Sequence, residues 1–348
     1  MRSLPPHIRQ ELQDAAYELP NLPDSVIVKD AHLTDALRLI ARLPRVEHAR
    51  LVDTRDTNAP ETQVLAMDMV FAGGTCLAKA HGTIQRMSED IDFKLHLTEV
   101  PQGYKVGSLV SVESRLRALH RVLEQSLVKD GFSIAEPYTP QDKNPIVLDG
   151  RRYYELELDY AESGESQALA APALRAALKL ELKAQSTPIA HEMLKVGYLH
   201  RQLLGMQDPD AFEIPCVSRE ITLAEKALSF LRRYAWRMSG NHRGAFDTAL
   251  VRHVYDIWRM TEDDPELLGR SKRLFPQLVA ADALQFGAQY PAFRNEPMGV
   301  LQHTLRDLPL AEIEKDFKTR LAPLVYIEVP PFEEVFEKFR DVATELLR

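Results

Sequence analysis

The sequence predicts an α+β protein of two domains, a mixed sheet with flanking helices over residues 1–212 and a helical domain over 213–348. Three observations carry this. Segments 91–97, 154–160 and 177–183 alternate apolar and polar residues with period two, the mark of strands buried on one face. Leu109, Val112, Leu116, Leu119, Leu123 and Leu127 recur at helical spacing. From about residue 215 the alternating segments give way to long helical patterns. The length of 348 residues suits about two domains, each able to bury a core.

Leu33, Ala36, Leu37, Ile40 and Leu43 predict an early helix with Asp30 as its cap. The polar stretch 53–63 reads as a loop. Residues 64–71, mostly apolar, run into Gly73-Gly74-Thr75, as a buried strand meeting a tight turn does. A short helix is predicted over 76–82. Ile91–Leu97 follows as a strand with one polar face, and the leucine stripe over 109–128 as an amphipathic helix. Tyr154–Tyr160 and Ala177–Lys183 are strands that each place carboxylates on one side. Prolines at 323, 330 and 331 interrupt the last stretch before a final helix over 332–347.

Apolar residues at 45% and charged residues at 27% are the balance of a soluble globular protein. A net charge of -8 excludes a basic surface over the whole chain. The two cysteines, Cys76 and Cys216, exclude a disulfide scaffold and show no metal-ligand spacing, as expected of a cytoplasmic protein. No secretory signal is read at the N-terminus. No apolar run reaches the roughly 20 residues of a membrane helix, so no membrane partner is expected.

The most informative segment joins Gly73-Gly74-Thr75 to Arg86-Met87-Ser88-Glu89-Asp90-Ile91-Asp92. Asp90 and Asp92 are two apart on a predicted strand, so both carboxylates leave one face and repel each other. A divalent cation relieves that repulsion. Mg²⁺, or Mn²⁺ in its place, favours a few carboxylates plus substrate phosphate oxygens. Glycines let backbone N–H groups approach an anion, and Thr75 and Ser88 offer hydroxyls to the same phosphates. A third acid from a neighbouring strand completes such a site, with Glu181, Glu155, Glu157 and Asp159 as candidates.

These residues resemble the AbiEii/AbiGii toxin family of nucleotidyltransferases, a polymerase-β-like branch that includes the MenT toxins. The hallmark glycine turn stands here as Gly73-Gly74-Thr75-Cys76-Leu77-Ala78-Lys79, and the acidic motif as Arg86 to Asp92. The family's V-K-(I/L)-E strand is matched by Leu178-Lys179-Leu180-Glu181, with Gln185 where an arginine is usual. Its (T)-x-x-E-K helix is matched by Thr222 to Lys226, and its later Tyr-Asp motif by Tyr255-Asp256. The family's upstream E-K-D is only Val28-Lys29-Asp30 here.

The resemblance implies a nucleotidyltransferase fold whose helical domain completes the active-site cleft. It implies NMP transfer from an NTP to an acceptor, with metal held by Asp90, Asp92 and Glu181. Gly73, Gly74, Thr75, Lys79, Arg86 and Ser88 are the implied nucleotide or phosphate contacts. Lys226 is the implied nucleotide lysine and Asp256 the acid that orients it. The implied setting is a bacterial toxin–antitoxin pair serving phage defence, its antitoxin encoded nearby and needing no direct contact.

Residues 219–259 hold eight Lys and Arg against four acids, and Tyr234 and Trp236 interleave with Arg232, Arg233 and Arg237. Cations with stacking aromatics suit RNA. Some relatives use the tRNA 3′ end as acceptor. A charged helix face with core aromatics has the same composition, so a small-molecule acceptor and a catalytically silent binding protein stand as alternatives.

Overall fold

The structure, a computed structural model, describes residues 3–20, 22–43, 67–98, 111–136, 143–160, 175, 177–240, 244–288 and 290–348. The loop expected over 53–63, residues 64–66, Leu109 and Arg243 lie outside them. The chain divides into two compact units. One comprises 1–80 and 88–217, the other 81–87 and 218–348. The boundary expected at 212–213 falls inside a strand that carries the first unit to Val217.

In the first unit α1 spans Pro6–Glu18, α2 Asp24–Ala41, β1 Met67–Ala72, α3 Gly73–Lys79, β2 Asp90–Leu97 and α4 Val112–Lys129. Strands β3 (Ser133–Ile134), β4 (Ile146–Leu148), β5 (Tyr153–Asp159), β6 (Leu178–Gln185) and β7 (His191–Val196) follow, then α5 (Leu199–Leu203) and β8 (Phe212–Val217). The sheet order is β3-β5-β6-β2-β1-β8-β7, with β4 on β5. β2 lies between antiparallel β1 and parallel β6, so the sheet is mixed, as expected.

The period-two pattern explains the core. Ile91, Phe93 and Leu95 of β2, Leu178, Leu180 and Leu182 of β6, and Tyr154, Leu156 and Leu158 of β5 share one buried face. Leu116, Leu119, Leu123 and Leu127 of α4 and Leu33, Leu37 and Ile40 of α2 belong to the same cluster. Burying each such side chain stabilises the fold by about 1.5–3 kcal/mol. The alternate residues of β2, β5 and β6 are thereby sent to the opposite face.

In the second unit α6 spans Arg219–Met238, α7 Arg252–Asp263, α8 Leu267–Phe286, α9 Pro291–Asn295, α10 Pro297–Arg306, α11 Leu310–Asp316 and α12 Phe332–Leu346. Phe230 of α6 meets Phe339 of α12 edge-on, ring centroids 4.8 Å apart. Segment 81–87 is not helical. Met87 N–H donates to the Leu324 carbonyl at 2.8 Å and Tyr326 N–H to that of Gln85 at 2.9 Å, a short ladder within this unit. Among the described residues no helix is long and apolar enough to cross a membrane.

Candidate active site

The polar face of the first unit's sheet is ordered by register. Asp92 stands opposite Glu181 and Asp90 opposite Lys179. Across β6, Glu181 stands opposite Glu155 and Lys179 opposite Glu157. Registered neighbours project from the same side, so Asp92, Glu181 and Glu155 form a row of three acids. Glu181 directly neighbours Asp92, whereas Glu155, Glu157 and Asp159 lie one strand further away.

The two central acids have opposite electrostatics. Burial, then the negative charges of Glu181 and Asp90, push the Asp92 carboxyl up to about 7. Burial would also raise Glu181, but the ammonium groups of Lys183 and Lys179 overrule it and hold Glu181 near 2. Lys179 Nζ lies 3.2 Å from Glu181 and 2.9 Å from Glu155. The Tyr153 hydroxyl is shared between Glu155, the nearer, and Glu181 at 3.0 Å. Asp92 is thus the acid whose ionisation its surroundings penalise.

The glycine turn is shaped around this acid. Gly73 has φ +77, a conformation open to glycine, and a Cβ there would stand 2.0 Å from Asp92 Oδ2. Thr75 donates its hydroxyl to the Asp90 carbonyl at 2.5 Å, with Ser88 Oγ at 3.0 Å. The start of α3 is thereby tied to the start of β2.

A second cluster lies in the helical unit. Arg86 makes two 2.7 Å bonds to the carboxylate of Asp256. Lys226 Nζ lies 2.8 Å from the same group. Asp256 is fully buried. Burial would raise its carboxyl, but Arg86 and Lys226 drive it far below the usual range. The main-chain carbonyl of Lys226 lies 3.2 Å from His253 Nδ1.

Residues 61–341, which contain both clusters, match the family described as "Nucleotidyl transferase AbiEii toxin, Type IV TA system". The chain belongs to this family. It is therefore a nucleotidyltransferase of the toxin–antitoxin class, and AbiEii membership implies a nucleotide substrate and a cognate antitoxin. Among solved structures, MenT4, a nucleotidyltransferase toxin from Mycobacterium tuberculosis H37Rv, is similar at 17% identity over 84% of this chain and 98% of its own, with a TM-score of 0.36. No curated protein matches the chain.

Against the AbiEii-like expectations, Gly73, Ser88, Asp90, Asp92 and Glu181 come together at one part of the first unit, with Gly74 beside Gly73 in α3. The Lys226–Asp256 pair expected from the resemblance is present in the other unit. Three residues have different surroundings from those expected of phosphate contacts. Lys79 is 5% exposed and its ammonium is bound to Asp30 at 2.5 Å. Arg86 is 2% exposed and committed to Asp256. Thr75 is fully buried, its hydroxyl used on β2. Asp30 is no helix cap, because α2 begins six residues earlier, at Asp24.

The arginines expected to form an RNA surface are internally paired. Arg232 binds Asp282 at 2.6 Å and lies 3.9 Å from the Phe286 ring centroid. Arg233 binds Asp247 at 3.0 Å and Arg237 binds Glu312 at 2.5 Å. Tyr234 is buried and cannot stack on a base. What the sequence concealed is a pair of buried bridges reaching from α2: Lys29 to Glu89 and Asp30 to Lys79, each at 2.5 Å. The adjacent Lys29-Asp30 was the one signal, and it reads locally as an ordinary polar helix face.

Among the described residues, no three His, Cys, Asp or Glu side chains converge into a ready-made metal cage. The donor set nevertheless suits a hard divalent ion. It consists of carboxylate oxygens, and Asp92 is the group a nearby cation would favour in its charged form.

Proposed function

We propose that this chain transfers an NMP from an NTP to an acceptor hydroxyl and releases pyrophosphate, using Mg²⁺. The observation that carries the reading is Asp90 and Asp92 on one strand face, with Glu181 in register beside them and Gly73 against Asp92. Asp90 and Asp92 would hold the ion together with substrate phosphate oxygens, and Glu181 would be the third acid. Mg²⁺ supplies Lewis-acid stabilisation of phosphoryl charge when bound.

The protein's own groups do the positioning. Gly73 and Gly74 are the proposed backbone phosphate contacts, Gly73 also making room for the Asp92 carboxylate, and Ser88 offers a half-buried hydroxyl. Thr75, Lys79 and Arg86 act through other residues. Thr75 fixes α3 on β2, Lys79 anchors α3 to α2, and Arg86 shares Asp256 with Lys226. Asp256 keeps Lys226 charged and oriented, and Lys226 is the proposed nucleotide contact.

The proposed acceptor is the 3′ end of an RNA such as tRNA, on the strength of the family resemblance. The proposed setting is a cytoplasmic toxin of a phage-defence pair whose antitoxin is a separate protein encoded nearby. The internal pairing of Arg232, Arg233 and Arg237 favours a second reading, a small-molecule hydroxyl acceptor. Transfer of label from each of the four α-³²P-NTPs to a tRNA pool decides between them. Labelling that disappears when the RNA 3′ ends are oxidised supports the first. Labelling of small-molecule hydroxyl compounds alone supports the second.

A further inference from the structure

Arg175 stands just before β6, and one buried ion pair holds its backbone from both sides. Its N–H donates to Glu89 Oε2 at 2.9 Å, and its carbonyl accepts from Lys29 Nζ at 2.7 Å. Lys29 and Glu89 are themselves 2.5 Å apart, with side chains 1% and 5% exposed. Buried ion pairs contribute little net stability against their desolvation cost, so stability alone does not explain this one. What it does is fix where the backbone of a single arginine lies.

The guanidinium of that arginine is placed differently. It is 51% exposed, and its NH1 lies 3.6 Å from Asp90 Oδ1. That is charge proximity and longer than a hydrogen bond. Glu155 and Glu157 add to the acidic field around it. The backbone of Arg175 is bonded on both sides, and its head is exposed and beside one of the two acids proposed to hold the cation, too far from Asp90 Oδ1 for a hydrogen bond.

We propose that Arg175 is a substrate-binding residue, its guanidinium passing from Asp90 to the polyphosphate of the incoming nucleoside triphosphate. The inference rests on the reading of Asp90 and Asp92 as the metal-holding pair. A divalent cation held by Asp90 would repel the guanidinium. The triphosphate would then offer it paired oxygens that match the planar donor fork of arginine, which the separate carboxylates of Glu155 and Glu157 do not. Lys29 and Glu89 are positioning residues, acting through the Arg175 backbone. The opposed role is that of a mere counter-ion for Asp90.

Arg175→Gln, Arg175→Lys and Asp90→Asn test this, by initial rates over an NTP series at saturating Mg²⁺ and by calorimetric binding of a non-hydrolysable NTP analogue in Mg²⁺. Losing a charged hydrogen bond corresponds to roughly 10–100-fold, so Arg175→Gln should raise KM by that factor and weaken analogue binding in parallel. Its kcat should stay within about threefold, and Arg175→Lys should recover part of the loss. Unchanged KM and unchanged analogue binding, with only a lower Mg²⁺ requirement, would make Arg175 a counter-ion and overturn the proposal. Wild-type transfer by Asp90→Asn would instead sink the metal-site reading itself, whatever Arg175→Gln does.

Discussion

Gly73 and Asp92 are in contact so close that a single methyl group would separate them: a Cβ on Gly73 would lie 2.0 Å from Asp92 Oδ2. Gly73→Ala must displace the carboxylate and also hold alanine at φ +77, which costs about 1–2 kcal/mol. The expected outcome is a folded protein, melting lower than wild type, whose label transfer falls by about a hundredfold or more as misplaced catalytic groups do. Transfer rate and melting temperature measured on one preparation check it. Near-wild-type transfer would show that the glycine is only a turn residue.

Asp92 gives a prediction about pH. Its carboxyl lies near 7 in the folded protein against an ordinary 3.8. Between those values the folded state keeps a proton that the unfolded chain has released. The Asp92 contribution to stability therefore falls as pH rises from about 4 to about 7 and is flat above. Asp282, raised by burial to about 6, acts with the same sign but is common to wild type and variant. His120, lowered by burial to about 4, and His200 and His253, also lowered by burial, act with the opposite sign in this window but are likewise common to both. Glu181, held near 2, acts with the opposite sign and only at lower pH. Asp92→Asn should lack the Asp92 share of this dependence, so its melting temperature should gain on wild type as pH rises from about 4 to about 7 and stand above it near pH 8 in EDTA, by roughly 2–4 °C per kcal/mol of relieved penalty. Melting curves across that range decide it, and a variant less stable than wild type at every pH would contradict the assignment.

The Arg86–Asp256–Lys226 cluster should respond unequally to substitution. Asp256→Asn leaves two buried cations without their anion and should cost about 3–5 kcal/mol. Lys226→Met leaves the two-bond Arg86–Asp256 pair intact and should cost about 1–2 kcal/mol. Lys226→Met should nevertheless lose most nucleotide use. Urea melting beside transfer rate separates the two effects. Transfer by Lys226→Met within a few-fold of wild type would make this lysine structural.

Arg233 and Arg237 already hold Asp247 and Glu312. Replacing both by Gln should leave the salt dependence of tRNA binding nearly unchanged, the log–log slope moving by less than about 0.7, the value of one single-strand phosphate contact. A fall of about 1.4 or more would show that both pairs open to RNA.

Much of the first unit was legible because half-buried strands write their burial into alternate residues. Tyr153–Asp159 and Leu178–Gln185 are where period two placed them. Strands that lack that contrast were not. β7 is an edge strand with its first three residues exposed, and β8 carries Pro215. The acidic pair was legible because two carboxylates at i and i+2 on a strand must share a face. The commitments of Lys79 and Arg86 were not, because their partners Asp30 and Asp256 lie 49 and 170 residues away. Nor could a count of arginines over 219–259 reveal that Asp282, Asp247 and Glu312 answer three of them.

The most direct test of the central claim is label transfer from α-³²P-NTP to acceptor by wild type in Mg²⁺, wild type in EDTA, Asp90→Asn and Asp92→Asn, with folding confirmed by melting. The account predicts transfer with pyrophosphate release in the first case, and none in the other three despite intact folds. Transfer at the wild-type rate in EDTA, or by either folded variant, would contradict it.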